Sequence, residues 1–229
     1  DLGFDQVQRT DEGGDETGRR AVIDVEGRTD LVGATGMFGF GAHSFARHWK
    51  KRQAAEDGLV AERVTGMQLN RLLEHGCLVL HDLPGDGFNI DHVVISPRGV
   101  YAVETKSFRK PKSKVDDPYT VRYDSRALNF PDFIETSAVE QAERYAQWLS
   151  RYLREAQIET SVIPALALPG WMIEQTEDTW RTSRVKVFNP MGRGAAFMAK
   201  DLARLDPQTR HLIAQTLASR YPRVGTKSS

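Results

Sequence analysis

NIDHVVISPRGVYAVETKSF, residues 89–108, is the stretch whose reading decides the fold. Residues 90–96 are rich in β-branched side chains, Pro97-Arg98-Gly99 supplies turn chemistry, and residues 100–106 alternate again. Two antiparallel strands joined by a tight turn follow from that pattern. Side chains alternate between faces along a strand, so Glu104 and Lys106 project together. Asp91 lies at the end of the first strand away from the turn, and the return strand brings its own far end back beside it. The turn length sets Asp91 opposite Glu104 or Thr105, a bulge being able to move the register by one residue.

Two carboxylates side by side repel, and one is driven toward its neutral form unless a cation or hydrogen-bond donors fill the space between them. A hard divalent cation resolves the conflict, and Mg²⁺ suits a site with one or two carboxylates because it keeps waters that a substrate phosphate can displace. Such an ion polarises a phosphoryl oxygen and lowers the pKa of bound water. Lys106 adds a point charge that can hold the attacking water or offset charge on the phosphate. A Glu-x-Lys triplet alone is commonplace. Its placement on a strand that returns beside an Asp-headed strand is what gives it meaning.

Around this hairpin, residues 54–74 read as a helix closed by Gly76, with Val60, Val64 and Met67 on one apolar stripe and Leu69, Leu72 and Leu73 near another. Glu62 shares a face with Gly66, Leu69 and Leu73, although an isolated helical glutamate is ordinarily a solvated charge. A second helix is announced by Ser137 and Glu140 as a capping box, followed by Ala138, Ala142, Tyr145, Leu149 and Tyr152 at helical spacing. Gln141 falls near its start, where amides and the helix dipole favour a phosphate. Residues 161–168 and 184–188 read as strands, with Pro169-Gly170-Trp171 as a turn. The implied class is α/β: an α-β-β-β-α-β order, a mixed central β-sheet flanked by helices, and one core.

The runs GLVAERVTGMQLNRLL, IDHVVISPRGVYAVETKS, VEQAERY and ALPGWMI with VKVFNP resemble the nuclease-related domain, NERD, of the PD-(D/E)XK nuclease superfamily. The resemblance covers about residues 58–190 and implies a restriction-endonuclease-like core. It places Glu62, Asp91 and Glu104 in the metal-binding acidic positions, with the Thr105 carbonyl as an extra ligand and Lys106 as the catalytic lysine. Gln141 and Tyr145 match the Gln-x-x-x-Tyr element of the RecB-like branch. Ala61 and Thr105 depart from the family pattern, and a threonine still suits a strand.

The composition sets limits. The chain has 229 residues with 31 basic and 31 acidic side chains, so it is no histone-like basic binder. Charge is nevertheless unevenly placed: Arg109, Lys110, Lys112 and Lys114 follow the triplet without an intervening acid and could grip a nucleic-acid backbone, though such a run is more often a solvated loop. Tyr119, Val121 and Tyr123 alternate as a short strand. Cys77 is the single cysteine, which excludes a disulfide framework, a zinc ribbon and a Cys-x-x-Cys pair and fits a reducing, cytoplasmic setting. The six histidines show no His-Glu-x-x-His spacing, His92 is assigned a structural place, and no Gly-rich phosphate loop ending in Lys-Ser/Thr is present.

Residues 1–53 are an acidic, loosely attached arm leading into Phe38, Phe40, Phe45 and Trp49 before Lys50-Lys51-Arg52, a segment suited to a protein partner, self-association or covering the core. No stretch there is long and apolar enough to span a bilayer, while attachment through an upstream segment stays open. Residues 54–222 form the nuclease-like domain. Its end carries a helix over 195–205 and another capped by Asp206 with Pro207 at its first position, and residues 223–229 form a frayed tail. The functional expectation is a Mg²⁺- or Mn²⁺-dependent nuclease acting on nucleic acid, DNA before RNA. The alternatives are a nuclease-like module that binds nucleic acid without turnover, or a protein-interaction domain.

Overall fold

A computed structural model describes residues 55–112, 116–199 and 204–222, all within the unit Arg47–Ser229. The N-terminal arm with its aromatic and basic segment, Lys114 and the tail from 223 lie outside the described residues.

The hairpin forms as its periodicity requires. Strands β1 (Leu78–Pro84), β2 (Asn89–Ile95) and β3 (Val100–Thr105) form an antiparallel meander, and β7 (Val162–Ala167) and β9 (Lys186–Phe188) extend it in parallel, giving a mixed sheet of order β1-β2-β3-β7-β9. Ser96 closes the turn: its hydroxyl accepts from the amides of Arg98 and Gly99 while its backbone pairs with Gly99. Helix α1 (55–70) precedes the meander and tightens into a 3-10 turn, Arg71–His75, that ends at Gly76. Gly76 adopts φ +73, which costs little without a Cβ. Helix α2 (Ser137–Glu155) crosses from β3 to β7, as a parallel connection needs. The short helix α3 (Glu177–Thr182), capped by the Thr176 hydroxyl on the Thr179 amide at 3.0 Å, leads into β9. The α-β-β-β-α-β order is therefore present.

Helices cover both faces. Leu149 and Leu153 of α2 and Ile213 and Leu217 of α4 (Pro207–Ala218) pack on Val93, Ile95, Val100 and Ala102. Leu69, Leu72 and Met198 pack on Val94, Tyr101 and Val103 from the other side. Asp206 caps α4 through the Thr209 amide at 2.9 Å, with Pro207 at the first position, as expected.

Several expectations need correction. The core is not single: strands β4 (Thr120–Tyr123), β5 (Leu128–Asn129), β6 (Ile134–Glu135) and β8 (Met172–Glu174) build a second sheet of order β6-β5-β4-β8, whose Val121, Tyr123, Leu128 and Phe130 pack with Trp171 and the start of α2. On α1 the buried stripe is Ala61, Thr65, Leu69 and Leu72, whereas Val60 and Met67 are each 61% exposed. Small residues let the helix approach the sheet, and a hydrophobicity count misses them. The α2 cap also differs: Thr136 is the N-cap, and Glu135, preceding the helix, accepts from the Ala138 amide at 3.0 Å and from the Ser137 hydroxyl. A carboxylate there also complements the helix dipole. In place of a helix over 195–205, the described residues hold a 3-10 turn at Ala196–Met198. No helix among the described residues is long and apolar enough to cross a membrane.

Candidate active site

The β2–β3 ladder runs from Ile95↔Val100 to His92↔Val103, so one further step sets Asp91 beside Glu104. There the backbone ladder gives way to a side chain. The Thr105 amide donates to Asp91 Oδ2 at 2.7 Å, and Lys106 N continues toward β7 by donating to the Ala167 carbonyl at 3.0 Å. Asp91 thus satisfies a backbone donor that the departing strand leaves behind. On its other side, β1 is interrupted at the same level: pairs run from His81↔His92 to Leu83↔Ile90, and Asp82 between them has φ +52.

Glu104 is 3% exposed. Its Oε1 takes two donors, Lys106 Nζ at 2.8 Å and Gln141 Nε2 at 2.7 Å, and the Gln141 amide also reaches the Tyr145 hydroxyl at 3.0 Å. Its Oε2 is buried with no hydrogen-bond partner. That atom is anomalous, because buried carboxylate oxygens are ordinarily paired.

The electrostatics mark one interacting group. Burial, then the neighbouring Glu104, pushes the Asp91 carboxyl up to about 7, with Glu62 adding and the Thr105 amide and Lys106 opposing. Burial raises Glu104 as well, against the Lys106 hydrogen bond and charge, and Glu62 adds to the rise. Glu62 is raised by burial and then by Asp82, while Lys106 lowers it. Glu62, Asp91, Glu104 and Lys106, from α1, β2 and β3, therefore share one field. Glu62, Asp82 and Asp91 line a cavity of ≈ 320 Å³ with Asn70, His81 and His92.

Position in the fold explains why Glu62 arrives there. His92 is buried, and its Nδ1 lies 2.9 Å from His81 Nδ1, while His81 Nε2 meets Asn70 Oδ1 at 3.0 Å. A Cβ at Gly66 would sit 3.3 Å from His81 Cε1 and 3.4 Å from His92 Cε1. Glycine at this point lets α1 rest on the imidazole pair, one turn from Glu62. Asp82, Asn70 and His81 are site residues that the sequence reading misses, although an acid inside LVLHDLP does interrupt an apolar strand pattern.

The expected backbone-gripping residues are placed differently. Arg109 pairs with Asp57 at 3.0 Å. Lys110 lies 3.2 Å from the Trp171 ring centroid and donates to the Gly170 carbonyl at 2.7 Å. Both cations have a partner, Arg109 in an exposed ion pair, and Lys112 is exposed. Tyr123 packs in the core, whereas Tyr119 is exposed. Cys77 is buried, its thiol pushed up to about 11 by burial.

The donor set suits a hard cation sparingly. The available oxygens are those of Asp91, Glu104 and Glu62, and among the described residues no group of three or more His, Cys, Asp and Glu side chains stands in ion-holding geometry. The orphaned Glu104 Oε2 beside Asp91 still fits an ion of the Mg²⁺ type, which draws most of its shell from water and phosphate.

No curated relative matches the sequence. Among solved structures, SfsA of Pyrococcus furiosus in complex with Ca²⁺ is similar over 59% of this chain and 56% of that chain, with 14% identity and a TM-score of 0.29. The alignment thus spans little more than half of that protein's length. The nuclease-related domain family matches residues 57–169, a span that contains the meander, the second sheet's first three strands, α2 and the carboxylates Glu62, Asp82, Asp91 and Glu104. This part of the chain belongs to the nuclease-related domain family.

Proposed function

We propose that this domain is a divalent-metal-dependent nuclease hydrolysing phosphodiester bonds, with DNA before RNA as substrate and Mg²⁺ or Mn²⁺ as cofactor. One observation carries the reading: Glu104, next to Asp91 by the β2–β3 register, is held on one oxygen by Lys106 and Gln141, and its other, buried oxygen has no partner. Asp91 and Glu104 would hold the ion, with Glu62 and the Thr105 carbonyl completing its protein ligands. A bound divalent cation supplies Lewis-acid polarisation of a phosphoryl oxygen and a lowered pKa for coordinated water.

The chain's own groups do the rest. Gln141 fixes the rotamer of Glu104 and would keep Oε2 free to ligate a bound ion. Lys106, tethered to Oε1, positions its ammonium where charge grows on the phosphate in the transition state. Tyr145 holds the second end of the Gln141 amide and so supports that geometry at one remove. The single buried thiol, Cys77, is compatible with the cytoplasm.

A second reading, a nucleic-acid-binding module without turnover, draws on the absence of a three-donor cluster among the described residues. One experiment separates the two. Purified protein is incubated with single- and double-stranded DNA and RNA in Mg²⁺, Mn²⁺ or chelator, beside Asp91→Asn and Lys106→Ala. Metal-dependent cutting by native protein alone supports the hydrolase. Cutting of equal rate by both variants removes this site assignment, and binding without cutting favours the second reading.

A further inference from the structure

The groove beside the carboxylates is larger than the cavity that holds Asp91 and differs from it in chemistry. It encloses ≈ 870 Å³ along α2, and Phe88 and Tyr145 stand in it with Arg144, Arg151, Arg154 and Arg184. Phe88 stacks on Tyr145 with ring centroids 4.4 Å apart and planes 12° from parallel. The Tyr145 hydroxyl shares the Gln141 amide with Glu104, so the aromatic end of the groove abuts the carboxylates.

Charge in the groove is unbalanced. Glu143 is the one acid in its lining, against four arginines. Three cations elsewhere are engaged: Arg109 by Asp57, Arg122 by Glu174 and Lys110 by the Trp171 ring. Among the described residues Arg151, Arg154 and Arg184 form no ion pair, and Arg144 reaches Glu140 at 3.9 Å with both side chains exposed. From Arg144 to Arg154 the helix rises about 15 Å, enough to set its arginines against successive phosphates of a strand.

We propose that this groove binds one unpaired strand of nucleic acid, with the arginines on its phosphates and the Phe88–Tyr145 pair as a stacking platform for a base next to the carboxylates. The volume lies within the roughly 300–1,000 Å³ of pockets that take drug-sized ligands, room for part of one strand and not for a duplex. Stacking also needs a base whose face is free. The inference deepens the hydrolase reading by naming the strandedness of its substrate, and it rests on that reading only for which way the strand runs to the site.

The test is binding of fluorescent oligothymidine by the full chain in chelator, read by anisotropy across a salt series. Its duplex with oligoadenosine and polyglutamate serve as comparisons. Native protein is expected to favour the single strand over the duplex by about tenfold. Arg151→Ala/Arg154→Ala/Arg184→Ala is expected to weaken binding by at least about tenfold and to reduce the slope of log K against log salt by about 2, at about 0.7 per lost phosphate contact. Arg126→Ala, an exposed arginine on the second sheet, should bind as native. The single reversal Arg151→Glu, on an exposed helix face, gives the same reading if the triple variant does not fold.

Unchanged affinity and slope in both groove variants, equal or tighter duplex binding, or displacement by polyglutamate as effective as by the strand itself would each overturn the proposal. The outcomes separate it from the hydrolase reading. Cutting by native protein with strand binding untouched in the variants sinks the groove alone. Strand binding lost in the variants of a protein that never cuts sinks the hydrolase alone.

Discussion

Asp91→Asn in the metal-free protein is the sharpest probe of the site. The Asp91 carboxyl rises from 3.8 to about 7 on folding, chiefly by burial and then by Glu104. A carboxyl raised in this way binds its proton more tightly folded than unfolded. Native stability therefore falls as pH climbs from about 4 to about 7 and levels above that. The part of this window between pH 5 and 8 spans about two pKa units, worth at most about 3 kcal/mol at 1.36 kcal/mol per unit. Asparagine keeps an acceptor for the Thr105 amide and carries no charge at any pH. In chelator the variant's melting temperature should gain on that of the native protein by roughly 5–10 °C between pH 5 and 8, at about 2–4 °C per kcal/mol for a chain of this size. Adding Mn²⁺ at pH 8 should close most of that gap, since an ion at a hundred times its Kd stabilises the native form by about 2.7 kcal/mol and the variant has lost the charge that holds it. Melts of both proteins at several pH values, with and without Mn²⁺, contain every needed comparison. A difference in melting temperature that stays flat with pH refutes the electrostatic account, and equal stabilisation by Mn²⁺ refutes Asp91 as a ligand.

Gln141→Ala frees Glu104 to rotate, so Mn²⁺ affinity by calorimetry is expected to fall about 10- to 100-fold, the usual cost of losing a group that orients a ligand. Gln141→Glu should be worse still, because it sets a third carboxylate against Glu104. Lys110→Ala removes a contact with the Trp171 ring and a bond to the Gly170 carbonyl, and should cost about 1–3 kcal/mol in urea unfolding while leaving oligothymidine affinity within about twofold. Trp171→Ala, at a fully buried ring, should cost about 3–5 kcal/mol in the same assay. Ca²⁺, tested as an ion that fills the site, should tighten oligothymidine binding by native protein and not by Asp91→Asn, measured by anisotropy at constant ionic strength.

The parts of the fold that were legible are those written in local periodicity. The 89–108 hairpin, its register to within a residue and the side shared by Glu104 and Lys106 follow from the two-residue repeat of a strand. Helix α2 and the Asp206 cap are likewise local. What escaped depends on distant partners. Arg109 and Lys110 read as a basic run, yet Asp57 is 52 residues from Arg109 and Gly170 is 60 from Lys110, and no local pattern announces those partners. Two-residue strands such as β5 and β6 fall below any pattern, and their sheet exists because β4 pairs in parallel with β8, about 50 residues on. Stripe selection on α1 held at Leu69 and Leu72 and failed at Val60 and Met67, for a different reason. Ala61, Thr65 and Gly66 are buried because they are small enough to let the helix reach His81 and His92, so size and not hydrophobicity decides which side faces in.

That close approach also governs the charge of the site. Burial lowers His81, and burial together with His81 lowers His92 to about 4, so at neutral pH the wall behind Asp91 is uncharged. Lys106 is then the cation whose field reaches Glu62, Asp91 and Glu104 alike. Four carboxylates, Glu62, Asp82, Asp91 and Glu104, against the two cations Lys106 and Arg63 leave about two negative charges if all ionise, a field that repels an incoming phosphate. A bound divalent cation would cancel that excess, and the arginines along α2 would offer a strand a favourable potential before it met the carboxylates. Cation and strand should therefore help each other bind, because each removes a repulsion the other would face, and the coupling must be equal in both directions. On the proposed reading the neutral imidazole pair would matter through what it withholds: a positive charge on His92 would partly satisfy Asp91 and so weaken both ion binding and its coupling to a strand.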